Sequence, residues 1–177
     1  MIRKISTPLK KEEILLLKAG DEVLLSGYIY TARDAAHKKL LKLIDEDEDL
    51  PFDVNEQVIF YVGPTPNKPG EVIGSAGPTT SYRMDKMTLP LLKLGLKGTI
   101  GKGKRSEDIR NYMNEYKAVY FIAIGGIGAL ISNSIKESEI IAFEDLETEA
   151  IRKLYVEDMP LYVGIDSYGN DIYSEVL

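Results

Sequence analysis

The sequence predicts one α/β domain spanning residues 1–177, built on a mixed sheet or on two small sheets. Three observations lead there: helical and extended stretches alternate irregularly along the chain, no internal repeat is present, and no linker-like segment divides it. With 44% apolar and 28% charged residues in 177, the chain carries enough apolar mass for a core that needs no staples.

The elements follow in order. "KKEEILLLKAG" from Lys10 clusters its apolar residues before a glycine, as a short helix or turn does. "DEVLLSGYIYTA" from Asp21 is rich in β-formers and interrupted by Gly27, the pattern of a bulged strand. Between Arg33 and Ile44 a helical stripe joins Ala36, Leu40, Leu41 and Ile44, and the acidic run Asp45 to Asp49 ends it as a solvated loop. "QVIFYVG" from Gln57 is a short strand, "PTPNKPGE" a proline-fixed loop, and "EVIGSAG" an extended stretch whose small residues allow close approach of backbones or ligands. "SYRMDKMTLPLLKLG" is helical, with a break or a new first turn expected at Pro90. A short strand in "LKGTIGKG" leads through a glycine-rich turn to a helix capped by Ser106, with Glu107 and Asp108 in its first turn. A strand before "GGIGALIS", a strand at "SEIIAFE", a helix over "TEAIRKLYVED", a strand at "PLYVGID" and a turn at "SYGND" complete the set.

Composition narrows the function. A net charge of −6 argues against a nucleic-acid partner, which needs a basic face, while leaving room for a local basic pocket. The longest nearly unbroken apolar stretch, from Ala118, is 14 residues, short of the ~20 of a bilayer span. "MIRKISTPLKKEE" lacks an apolar signal core, so the expected address is the cytoplasm. The absence of cysteine removes disulfides, thiolate nucleophiles and cysteine-held iron–sulfur clusters from this chain, and the sole histidine, His37, removes a His-rich metal site. Any Lewis-acid chemistry therefore needs a metal supplied by a partner.

Two glycine fingerprints fail. Gly126 and Gly128 open a possible G-x-G-x-x-G, but Ile131 holds the sixth position; a phosphate-binding loop before Lys102 would need glycine at Leu96 and a hydroxyl at Gly103. "GGIGALI" is better explained as a tight strand-to-helix turn whose small residues permit close packing. A polar constellation is more informative. Arg33 lies at a strand–helix junction, Arg83 just behind the Gly77-Pro78 turn, and Lys102 between two glycines, all loop positions from which side chains can face a ligand. Two arginines grip carboxylates through paired N–H donors and a lysine adds a compact charge, a set suited to a small dicarboxylate. Each is also what a surface cation on an unrelated loop looks like. Thr79, Thr80 and Ser81 can cap a helix that begins near Ser81, and helix-start N–H groups there would welcome a carboxylate. His37, one turn after Arg33, is either a structural hydrogen-bonding residue or a catalytic one.

Taken together, "SGYIYTARDAAHKKL", "YVGPTPNKPGEVIGSAGPTTSYRMD", "GLKGTIGKG" and "FIAIGGIGALIS" resemble the C-terminal domain, or separate β subunit, of the iron–sulfur class I fumarate hydratases and their L-tartrate dehydratase relatives, over about Gly20 to Asp171. The resemblance implies a swivelling β/β/α domain with a mixed central sheet, closing over a 4Fe-4S cluster bound by a cysteine-bearing α subunit and not by this chain. It implies a hydro-lyase active only with that partner, in a homo-oligomer or α2β2 assembly, hydrating fumarate to malate as in the tricarboxylic acid cycle or dehydrating tartrate to oxaloacetate. Carried over by motif, Arg33, Arg83 and Lys102 are the expected substrate clamps and Thr79 both a substrate-binding and the expected proton-transfer residue, with Asp34, His37, Thr80 and Ser81 in support. A threonine would need ionisation helped by neighbouring cations to act so. The competing expectation is a stand-alone module that captures a small anion without catalysis.

Overall fold

A computed structural model describes residues 2–123 and 128–174. The strands are β1 (Ile2–Ser6), β2 (Glu22–Thr31), β3 (Val58–Phe60), β4 (Gly98–Gly101), β5 (Val119–Ile122), β6 (Ile135–Ala142) and β7 (Ile151–Ile165). The helices are α1 (Lys11–Leu16), α2 (Asp34–Asp45), α3 (Asp85–Lys93), α4 (Glu107–Tyr116) and α5 (Gly128–Ser134). The strands form one mixed sheet, not two, in the order β1-β2-β3-β4-β5-β7-β6. Neighbours from β1 to β5 run parallel, whereas β7 is antiparallel to β5, β6 and β2. Because β7 pairs with both β5 and β2, strands β2, β3, β4, β5 and β7 close a ring.

Strand periodicity divides the core in two. Val58 and Phe60 of β3 point into the ring, where they meet Leu25, Ile29, Val119, Phe121, Leu154 and Leu161. Ile59 and Tyr61 point the other way, onto Ala36 and Leu40 of α2, Leu91 of α3 and Met113 of α4. The layers are thus antiparallel strands, parallel strands and helices, and each fully buried large apolar side chain contributes roughly 1.5–3 kcal/mol.

Most expected elements are present. Gly27, at φ 110°, borders a register shift in the pairing of β2 with β7, but the extra residue belongs to β7, whose step from Val156 to Met159 lies opposite the shorter step from Leu25 to Gly27. Four expectations are corrected. "TEAIRKLYVED" is not helical: Glu144–Glu149 form a 3-10 turn and β7 takes the rest. Its buried residues include Ile151, Leu154, Val156 and Met159, and the two three-residue steps among them mimic helical spacing. A bulge in β7 accounts for the step from Val156 to Met159, which lies opposite only the shorter step from Leu25 to Gly27 of β2, with Asp158 at φ 48°. Pro90 neither breaks nor restarts α3, which runs through it. The carbonyl that Pro90 cannot serve belongs to Lys86, on the exposed side where water is available. "EVIGSAG" forms bends instead of a ladder strand, tied by Thr65 N–H to the Ser75 carbonyl at 3.0 Å, although Gly74 does permit close approach of the Thr65 backbone. Ser106 is the N-cap residue of α4 but its hydroxyl makes no capping bond. The tight turn expected in "GGIGALI" lies largely outside the described residues. Among the described residues no helix is long and apolar enough to cross a membrane.

Candidate functional site

Parallel strands leave their carboxyl ends at one edge of the sheet, where ligand sites of α/β folds form. Here β2 runs out into Arg33, β3 into Gly63 and β4 into Lys102. The segment after Pro78 wedges between the last two. Thr79 N–H donates to the Tyr61 carbonyl at 2.8 Å, Lys102 N–H to the Thr79 carbonyl at 3.3 Å, and Ser81 N–H to the Lys102 carbonyl at 3.0 Å. Thr80 and Lys102 form a parallel bridge, so the threonine pair and the lysine are held side by side by backbone bonds. Gly101 is required for this approach, because a Cβ there would overlap the Ser81 hydroxyl.

The expected cap is not made. Thr80 occupies the N-cap position of a 3-10 helix, Ser81–Met84, with no side-chain cap bond, since the ladder-like pairing with Lys102 fixes this turn instead. Thr79 is half-buried and Thr80 exposed, and neither hydroxyl has a hydrogen-bond partner among the described residues. Ser81 is fully buried and serves the core.

The two arginines meet at one carboxylate. Arg83 donates from Nε and Nη2 to the two oxygens of Asp34, at 3.0 and 3.2 Å, and Arg33 Nε stands 3.9 Å from the same group. The hydrogen bond from Arg83 lowers the Asp34 pKa below the usual carboxylate value, and the same bond raises that of Arg83. Arg33 Nε is buried without a hydrogen-bond partner. Its guanidinium lies over Gly63, where a side chain would meet Nη1 at 2.9 Å. Glu149 accepts the Ala35 N–H at 3.2 Å at the start of α2. A cavity of about 390 Å³ opens beside the edge; of Arg33, Thr79, Arg83 and Lys102 it takes in Arg83 alone, with Tyr82, Leu89 and Tyr112 among its walls. The edge thus brings Arg33, Asp34 and Arg83 into one cluster and Thr79, Thr80 and Lys102 into a second along the same strand ends.

His37 sits beneath the Arg33 junction. It is buried, its Nδ1 lies 2.7 Å from the Arg33 carbonyl, and its ring packs edge-on to Tyr61 at 5.4 Å. That carbonyl only accepts, so Nδ1 carries a proton. Burial drives the pKa down from 6.5 to about 4, against the hydrogen bond to Arg33, which raises it. Above pH 6.5 neither folded nor unfolded chain is charged here; between 6.5 and 4 only the unfolded chain takes the proton, so stability falls as pH falls. From pH 7 to pH 4, urea titrations should show wild type losing about 3 kcal/mol more than His37→Asn.

Sequence reasoning missed a buried network beneath both loops. Arg105 donates from Nε to Asp85 at 2.7 Å, from Nη1 to Thr99 at 3.0 Å, and from Nη2 to Thr88 and Tyr61 at 3.1 and 3.2 Å. The other Asp85 oxygen takes the Ser106 N–H at 2.8 Å, which explains why Ser106 needs no hydroxyl cap to fix α4. Tyr120 donates to the Gly103 carbonyl at 2.9 Å, so the Ser81 hydroxyl, also at 2.9 Å, is the donor to Tyr120. The only sequence signal was an arginine beside a helix start, a position usually solvated.

The chain has no cysteine, and among the described residues no group of three His, Cys, Asp or Glu side chains could hold a metal.

Fold and edge define a class: an α/β chain that sets cations and hydroxyls at the carboxyl ends of parallel strands. The chain belongs to the family described as Fumarase C-terminus, whose model matches residues 3–176. It is 41% identical over 174 residues to a Methanocaldococcus jannaschii protein provisionally named L(+)-tartrate dehydratase subunit beta, covering 95% of this chain and 89% of that one. It is 36% identical over 169 residues to fumarate hydratase 2 of Leishmania major and 37% identical over 156 residues to the anaerobic class I fumarate hydratase of Escherichia coli. Those matches take in 94% and 86% of this chain but only 30% and 28% of the two relatives.

Proposed function

We propose that residues 1–177 act as one swivelling domain, the β subunit of a cytoplasmic hydro-lyase that hydrates fumarate reversibly to malate at a site shared with an α subunit. The observation that carries this reading is the cationic edge: two arginines around Asp34, with Lys102 laddered to the threonine pair, in a chain of the fumarase family. Arg33 and Arg83 would take the carboxylates of a dianion through paired N–H donors, and Lys102 would add a third positive charge. Thr79, its backbone fixed by bonds to Tyr61 and Lys102, would move the proton at the carbon next to a carboxylate while hydroxide leaves the neighbouring carbon. A 4Fe-4S cluster held by the partner would supply Lewis acidity for that departure.

The 41% identity to the protein provisionally named a tartrate dehydratase subunit favours a second reading, in which tartrate is dehydrated to oxaloacetate. Anaerobic co-expression with the α subunit, followed by assays on malate, fumarate and both tartrate isomers, separates the two. The expected result is turnover of the fumarate–malate pair by the complex and none by this chain alone. In the complex, Arg83→Ala should cut kcat/KM by roughly 10²–10³, the scale of losing a charged bidentate contact. Turnover by the isolated chain overturns the shared site, and a complex inert on all four acids leaves the non-catalytic anion-binding module.

A further inference from the structure

We propose that Asp34 is a positioning residue of this site: it pins Arg83 by one edge of the guanidinium and aims the other edge at the substrate carboxylate. The inference rests on the proposed dicarboxylate site and assigns the residue that orients it. Arg83 offers five N–H donors in a rigid plane. Asp34 takes the Nε–H and one Nη2–H, at 3.0 and 3.2 Å. The remaining Nη2–H and both Nη1–H groups have no partner among the described residues. They form the outer edge of the same fork, with the geometry to take a second carboxylate in the same bidentate way. The pin therefore leaves the grip free and fixes its plane.

The pair is poorly explained as a tie that holds the fold. Its side chains are 29% and 44% exposed, and exposed ion pairs add little stability. The elements it joins are already packed through buried Ala36, Leu40, Met84 and Leu91. Its backbone setting is specific, however. Asp34 opens α2 directly after Arg33, so a single strand-to-helix junction supplies one clamp and the orienting group of the other, 49 residues away. A long arginine left unpinned would sample many rotamers and lose their entropy on binding, which weakens affinity without changing the chemistry.

The test uses the αβ complex. Asp34→Asn keeps the shape but can accept only one of the two bonds. It should raise KM for the dicarboxylate about 10-fold, leave kcat within about two-fold, weaken succinate binding in calorimetry by a similar factor, and leave the unfolding midpoint unmoved. In an Arg83→Lys background, where no fork exists to be oriented, the same substitution should add less than two-fold. Unchanged KM and succinate affinity, tighter binding, or an equal penalty in both backgrounds would each overturn the role of Asp34. Calorimetry keeps the two claims apart. A wild-type complex that binds succinate more tightly than Asp34→Asn yet turns over nothing supports the pin and refutes the hydro-lyase, whereas one that binds no dicarboxylate overturns both.

Discussion

Arg105→Ala is expected to destabilise the chain by about 3–5 kcal/mol, the cost of breaking a buried ion pair from one side. Arg105 has no exposed side-chain surface and Asp85 only 7%, so water cannot replace the lost bond without opening the core. The truncation also removes the donors to Thr99, Thr88 and Tyr61, each inside the same buried cluster. Urea unfolding should show a lower midpoint at an unchanged slope, since the surface exposed on unfolding hardly changes. A loss under ~1 kcal/mol would mean that solvent already reaches Asp85, as it does at surface pairs. Arg105→Lys should recover only part of the loss, because an ammonium cannot serve four acceptors spread around a plane.

Thr79→Val in the αβ complex should reduce kcat by roughly 10²–10⁴, the usual range for a lost proton-transfer group, with KM changed little. Valine keeps the branched shape and leaves the backbone bonds of residue 79 to Tyr61 and Lys102 in place, so the substitution tests the hydroxyl alone. Thr79→Ser should retain most of the rate. Equal kcat for wild type and the valine variant would remove Thr79 from the proton path and leave the clamps as this chain's whole contribution. Thr80→Val is the useful comparison, because that exposed side chain shares the turn without the proposed role.

Local chemistry accounts for what could be read from the sequence. The interruption of β2 at Gly27, the stripe of α2 and the short strand of β3 each follow from a handful of adjacent residues. The Gly77-Pro78 segment lies outside regular structure as expected, whereas Gly101 closes β4 and Lys102 is bridged to Thr80, so the glycines there marked a strand end; motif resemblance supplied Arg33, Thr79, Arg83 and Lys102 as candidates. What failed depended on partners distant in the chain. Residues 148–158 were expected to be helical because the steps from Ile151 to Leu154 and from Val156 to Met159 mimic helical spacing, and only pairing with β2 and β6 shows the strand. His37 was open between two roles in the sequence, and its burial against Tyr61 was not legible there, because that contact joins residues distant in the chain. Arg105 and Asp85 look solvated in sequence, being charged residues beside helix starts, and are buried only because their partners meet from separate segments.

The doubly paired β7 has a consequence for how the molecule is made. During synthesis β2 emerges long before Ile151–Ile165 and β5 shortly before it, so both wait with unsatisfied backbone groups that invite pairing with other chains. The last long strand seals the two open flanks at once. Nascent intermediates lacking it are therefore the species most exposed to aggregation, and assembly of the barrel-like layer should be slow, limited by contacts that span more than 100 residues.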